Sequence, residues 1–180
     1  MMAKFRSDLM HPVEVEQALD TLTILVDTRE QPTEQAKRRY ASFGCPWERQ
    51  KLNAGDYSAV VMLPNGEPFS LADKVVIERK MGYAELCQCY THDRGRFERE
   101  FERAKQASTK VYLLVEWATW EAAYNGKYRS KMQPKALVAS MLAWAARYDC
   151  HLLMCKPETS GRLIRDVLYR EMKERLMAFG

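Results

Sequence analysis

The chain contains no Cys-x-x-C pair. Its five cysteines are Cys45, Cys87, Cys89, Cys150 and Cys155, and the one close spacing is Cys87-x-Cys89. That pattern argues against a structural zinc site. An odd count with no secretory leader at the start of the sequence predicts reduced thiols, used mostly as small core residues. No apolar run approaches the ~18 residues of a membrane span. Repeats and low-complexity tracts are missing as well. A strong charge of one sign is also lacking: 28 basic residues face 24 acidic ones, for a net charge of +4. So mild a surplus permits nucleic-acid binding without demanding it, because what matters is where the charges cluster. Together these absences predict a cytoplasmic protein.

The 180 residues are 47% hydrophobic and 29% charged, enough for one domain with a normal core. Residues 1–21 read as a polar lead-in with a turn or two of helix around Val13–Leu19, and 22–180 as a single domain. Strands are predicted at 22–27, within 47–63 with a kink at Asn53-Ala54-Gly55, at 74–80, at 110–116 and at 151–156. Pro64-Asn65-Gly66 marks a hairpin turn that returns through 74–80. Helices are predicted over 33–43 with Thr33 as N-cap, over 84–107 with Gly95 dividing it, over 134–147 and over 159–177. The order is α/β, with a hairpin-like front and alternating helices and strands behind.

Within 73-DKVVIERKMGYAEL-86 an apolar strand ends in three charged residues. Residues two apart share a strand face, so Glu78 and Lys80 sit together and Arg79 points the other way. Four predicted strand ends carry acids: Asp27, Asp56, Glu78 and Glu116. One acid at a strand end is ordinary solvated punctuation. Several on adjacent strands repel unless a cation sits among them, and oxygen-rich clusters suit Mg²⁺ or Mn²⁺. A lysine two residues after a ligand carboxylate could orient a metal-bound water or stabilise charge on a phosphate. Asp56…Glu78-x-Lys80 is therefore the D…(D/E)xK pattern of metal-dependent DNA nucleases.

The words VDTRE at 26–30, GDY at 55–57, IERK at 77–80 and GRF at 95–97 follow one another in this order. Together they resemble the ERCC4-type nuclease domain of the XPF/Mus81 endonucleases, over roughly residues 22–156. Stand-alone versions occur in bacteria and phages. The resemblance implies a restriction-endonuclease-like fold, a mixed central sheet flanked by helices. It also implies divalent-metal-dependent cleavage of branched or flapped DNA, in repair or recombination. Carried over by position, it makes Asp56, Glu78, Lys80, Asp27, Glu30 and Arg79 catalytic candidates, with Asp56, Glu78 and Asp27 as metal ligands. The hallmark Asp four residues after the lysine is Ala84 here, with Glu85 adjacent. Two other readings stay open: a catalytically impaired scaffold that binds branched DNA, and a junction-resolvase or restriction-type nuclease. The chain has no room for the helix-hairpin-helix or helicase-like modules of larger members. Targeting is then expected from this domain, a homodimer or a partner protein.

Among the remaining residues, Arg79 either pairs with an acid such as Glu30 or touches a DNA phosphate. Arg96 and Arg99 are candidate DNA contacts on a helix whose arginines also form ordinary i,i+4 pairs. Lys127, Arg129 and Lys131 lie among Tyr124, Asn125, Gly126 and Tyr128. That mixture suits either a loop tracking a DNA backbone or a plain solvated loop. Trp117 and Trp120 are expected in the core, with base stacking as the alternative.

Overall fold

The computed structural model describes residues 10–178. Among them, seven strands form one mixed sheet: β1 (Thr23–Asp27), β2 (Trp47–Gln50), β3 (Tyr57–Met62), β4 (Pro68–Ser70), β5 (Val75–Lys80), β6 (Lys110–Glu116) and β7 (His151–Cys155). The order is β2-β1-β3-β5-β6-β7, with β4 on β3. The pairs β1/β2, β5/β6 and β6/β7 are parallel, and β3 runs antiparallel to β1, β4 and β5. The mixed α/β sheet flanked by helices that the sequence predicts is thus present.

Helices cover both faces, which is why the central strands are apolar runs rather than alternating ones. Helices α1 (Pro12–Leu19), α2 (Glu34–Ala41) and α7 (Pro157–Met177) lie on one face. Their core includes Ile24, Val26, Tyr57, Val75, Ile77 and Leu114. Helices α3 (Tyr83–Tyr90), α4 (Arg94–Gln106), α5 (Trp120–Tyr124) and α6 (Pro134–Tyr148) lie on the other. There Val76, Leu113 and Val115 meet Phe97, Phe101 and Trp144. The division follows strand alternation: Val75 and Ile77 face one layer and Val76 the other.

Several sequence expectations shift. The turn at Pro64–Gly66 leads first into β4, closed by the Leu63 N–H donating to the Glu67 carbonyl, and β5 meets β3 only at its opposite end. The break in the long helical pattern falls at Thr91–Asp93 instead of Gly95: Thr91 leaves the helical backbone at φ −117° and ψ −88°, and the Thr91 and Asp93 N–H groups both donate to the Gln88 carbonyl. Gly95 lies inside the first turn of α4. Of the segment read as a lead-in, residues 1–9 lie outside the described residues. Pro12–Leu19 form α1, which buries Val15, Ala18 and Leu19 and packs on α7. Thr33 caps α2 as expected, accepting the Ala36 N–H.

Candidate active site

The site begins at a glycine. Gly55 has φ +71°, and a Cβ there would stand 2.7 Å from the Val76 Cβ and 3.2 Å from the Ile77 carbonyl oxygen. Only glycine combines that left-handed backbone with so close an approach to β5. The chain thereby delivers Asp56 hard against the end of β5. The Asp56 N–H donates to the Ile77 carbonyl at 2.8 Å, and the Asp27 N–H donates to the Asp56 carbonyl at 2.8 Å. Tyr57 is paired antiparallel with Ile77, so one further step sets Asp56 opposite Glu78. The Asp56 Oδ2 accepts the Arg79 N–H at 2.8 Å.

Burial, then the charge of Glu78, holds the Asp56 carboxyl well above the usual carboxylate range. Burial also raises Glu78, although Lys80 works against it. Two mutually repelling carboxyls are thus held side by side. Lys80 Nζ donates to Glu78 Oε1 at 2.6 Å and lies 5.1 Å from the Phe97 ring centroid. Burial disfavours the Lys80 ammonium, but the Glu78 carboxylate outweighs it and keeps the lysine charged.

These groups open into a cleft of about 720 Å³ between the strand ends, the start of α2 and one side of α4. Arg29, Arg96 and Arg103 line it, as do Glu30, Glu85 and Glu100. Asp56 and Glu78 are the pair that could hold a hard divalent cation. Among the described residues no group of three or more His, Cys, Asp or Glu is arranged to hold a metal. A two-carboxylate pair fits Mg²⁺ or Mn²⁺, which keep several waters and take few protein ligands, better than it fits zinc.

Asp27 is placed apart from Asp56 and Glu78 in its side chain. It is 1% exposed and stays outside the cleft lining. Its Oδ1 accepts the Arg29 N–H at 2.8 Å and Nε at 2.6 Å, and its Oδ2 accepts the Leu52 N–H at 2.7 Å. Burial pushes its carboxyl up, but those bonds and the Arg29 charge hold it below its ordinary value. Asp27 ties the loop after β1 to the segment before Gly55. Its oxygens accept three hydrogen bonds and it is enclosed, so it stands as a clamp behind the site.

Arg79 resolves towards pairing, while it, Arg39 and Glu30 also border the cleft. It faces the α2/α7 layer, where Nε and Nη2 each reach a Glu116 oxygen at 3.2 Å. Glu30 is a secondary partner, 3.8 Å from Arg79 and accepting the Tyr57 hydroxyl at 3.2 Å. Arg39, which the sequence reading missed, completes the network: it donates to Glu116 and to Ser160 at 3.3 Å, and to the Tyr57 hydroxyl at 3.1 Å. Burial would raise Glu116, but hydrogen bonds from Arg79 and Ser160 and both guanidinium charges hold it down. A Cβ on Gly161 would overlap Ser42 and the Arg39 carbonyl, so that glycine lets α7 bring Ser160 to Arg39.

The ERCC4 domain model matches residues 26–166. The chain belongs to the ERCC4 domain family. Its fold is similar to XPF from Aeropyrum pernix, with a TM-score of 0.59 and 20% identity over 83% of this chain and 61% of that one. The same archaeal XPF in complex with DNA gives 0.58 and 22% over 84% and 65%. This chain therefore spans less than two thirds of either structure. No curated protein matches it significantly.

The other ERCC4-type positions sort unevenly. Glu85 lines the cleft, accepting the Met81 N–H at 2.7 Å and lying 3.9 Å from Lys80, whereas Ala84 is exposed on α3. Arg96 reaches the cleft, but Arg99, one turn on, is exposed outside it. Lys127, Arg129 and Lys131 are exposed between α5 and α6, away from the lining. Glu100 and Arg103 were not singled out as site residues. Their signal is the α4 face flanking Phe97 and Phe101, which an ordinary solvated helix also shows.

Proposed function

We propose that this ERCC4 domain is a divalent-metal-dependent endonuclease that hydrolyses phosphodiester bonds in branched or flapped DNA. The observation that carries the reading is the meeting of Asp56 and Glu78 across the β3–β5 pair with Lys80 on the same face. Membership of the ERCC4 family supports it, and so does the fold likeness to an archaeal XPF that has been solved in complex with DNA.

Asp56 and Glu78 would hold Mg²⁺ or Mn²⁺, which when bound polarises a phosphoryl oxygen and makes a water nucleophilic near neutral pH. The chain's own groups do the rest. Burial and mutual repulsion favour a proton on the Asp56–Glu78 pair, so holding a cation there would be coupled to its loss. Lys80, which donates to Glu78, would be placed to donate to the phosphate oxygen where negative charge develops. Arg29, Arg96 and Arg103 along the walls hold the flanking phosphates. The Arg39–Glu116–Arg79–Glu30 network beneath fixes the backbone of residue 79, whose N–H aims the Asp56 carboxylate. Targeting would come from this domain, a second copy or a partner.

End-labelled flap, fork and four-way junction DNA, with and without Mg²⁺, tests the proposal. Mg²⁺-dependent incision near the branch is expected. Failure to incise any of them with Mg²⁺ or Mn²⁺, despite tight binding, would leave the scaffold reading that Ala84 raises.

A further inference from the structure

Two large apolar side chains stand in solvent at the tips of the central strands. Met81 is 57% exposed just past β5, and Trp117 is 65% exposed just past β6. The parallel register pairs Lys80 with Val115, so the next step sets Met81 beside Glu116, with Trp117 following. A Cβ on Gly82 would lie 3.5 Å from the Glu116 carbonyl, so the two strand exits abut. Met81 also lines the cleft that holds Asp56 and Glu78.

Trp117 was expected in the core, and the structure places it outside. Its backbone has φ +53°, a left-handed conformation that bulky residues rarely adopt. The Trp117 N–H donating to the Cys155 carbonyl at 2.9 Å holds it there. Among the described residues its indole stacks on no other ring. A strained, exposed tryptophan contributes little to the fold, so its use lies outside it.

The flanks point to the occupant. The loop carrying Lys127, Arg129 and Lys131 is pinned to the same corner: the Tyr128 ring lies 5.6 Å from that of Tyr83, whose hydroxyl donates to the Thr119 carbonyl at 2.8 Å. Among the described residues none of these three cations is in an ion pair. An exposed aromatic one residue beyond the Met81–Glu116 step, on the corner to which a loop of unpaired cations is pinned, matches a nucleobase with its flanking phosphates. Resting on the nuclease reading above, we propose that Trp117, with Met81 beside it, stacks on the unpaired or terminal base at a DNA branch. That contact would set which phosphodiester reaches Asp56 and Glu78, making Trp117 a specificity-determining residue.

The test uses the full chain in EDTA, so that binding is read without cleavage. The probes are forked DNA with 2-aminopurine at the branch, the same fork with the label deep in a duplex arm, and linear duplex. The wild type should prefer the fork and change the emission of the branch label alone. Trp117→Ala should abolish that change and lower the fork preference about tenfold, the scale of one lost base–aromatic stack. Trp117→Phe should restore most of both. Trp117→Asn, which tolerates the left-handed backbone, and Met81→Ala provide variants independent of any folding defect. Wild-type fork preference in Trp117→Ala and Met81→Ala would overturn the stacking role and leave the nuclease reading standing. No DNA binding by the wild type would overturn both. If Trp117→Ala instead abolished self-association with fork preference unchanged, the patch would be a protein interface and the inference wrong.

Discussion

The two faces of the β5 tip differ in electrostatic balance although their residues alternate along a single word of sequence. On the α2/α7 face, Glu116 answers Arg79 and Arg39, and Glu30 with the Tyr57 hydroxyl closes the remaining donors. On the cleft face, Asp56 and Glu78 compete for one cation, Lys80. By exposed area Glu116 is the more enclosed, at 0% against 12% for Glu78, yet Glu116 is lowered, and Asp56 and Glu78 are raised. A buried network with every partner present is scaffold. A buried pair short of positive charge is a place for something to bind, since perturbed carboxyls in a cleft are what a reactive site needs.

The largest break should come on the balanced face. Glu116→Gln keeps the shape but leaves two guanidinium groups without their carboxylate, and breaking such a buried pair costs about 3–5 kcal/mol. Urea unfolding at neutral pH measures it; a loss under about 1 kcal/mol would show that the network is not a unit. The pH dependence has a definite sign. Glu116 sits below its unfolded value, so its contribution is present above an ordinary pKa of 4.5 and is lost as pH falls through the depressed one.

Next in size is a change in rate. Lys80→Ala removes a donor expected to act in the transition state, which typically slows reaction about 100- to 1000-fold. DNA affinity should hold, because it rests on many phosphate contacts and weakens steeply with salt. Single-turnover cleavage and fluorescence anisotropy separate the two. Cleavage at the wild-type rate would remove Lys80 from the mechanism.

Asp56→Asn should move the cleft face the opposite way to Glu116→Gln. The Asp56 pKa is raised in the fold, so its stabilising contribution is present below an ordinary 3.8 and is lost as pH rises through the folded value. At neutral pH the carboxylate is a burden. Asn relieves it and still accepts the Arg79 N–H. In EDTA the variant should melt higher, by the 2–4 °C that about 1 kcal/mol represents at this chain length, while cleavage is lost. Mg²⁺ should narrow the gap by stabilising only the wild type. A variant that melts lower in EDTA would contradict the claim that this face is electrostatically unsettled.

Strand alternation made much of this legible. It put Glu78 and Lys80 on one face and Arg79 on the other, and Gly55 before Asp56 announced a kink that the structure explains as close approach to Val76. Hidden from the sequence was which acids already had partners. Asp27 and Asp56 look alike as strand-end acids, but Asp27 is held by Arg29 and by Leu52, 25 residues on, and is shut out of the cleft lining. Arg39 gave no signal, because a buried arginine in a polar helix looks like an exposed one until Glu116, 77 residues away, is placed beside it. Trp117 misled because its exposure depends on a left-handed backbone no periodicity predicts.

The smallest effect is expected at position 84. Ala84 stands where the ERCC4 hallmark has Asp, but it is exposed, and neighbouring helical residues point about 100° apart. Glu85 is the one that lines the cleft. It accepts the Met81 N–H through Oε2 and keeps Oε1 towards Lys80. The added methylene of Glu and the turn at Gly82 together bring a carboxylate to the edge of the site from the next position along. Ala84→Asp should therefore change single-turnover cleavage by less than about twofold at saturating Mg²⁺, since a surface substitution away from the reacting groups is usually near neutral. Glu85→Ala should be damaging, and most so at low Mg²⁺, because it strips the Met81 backbone of its acceptor and Lys80 of its second carboxylate. If Ala84→Asp instead converted an inert protein into an active one, the hallmark position would be essential and the native chain a DNA-binding scaffold.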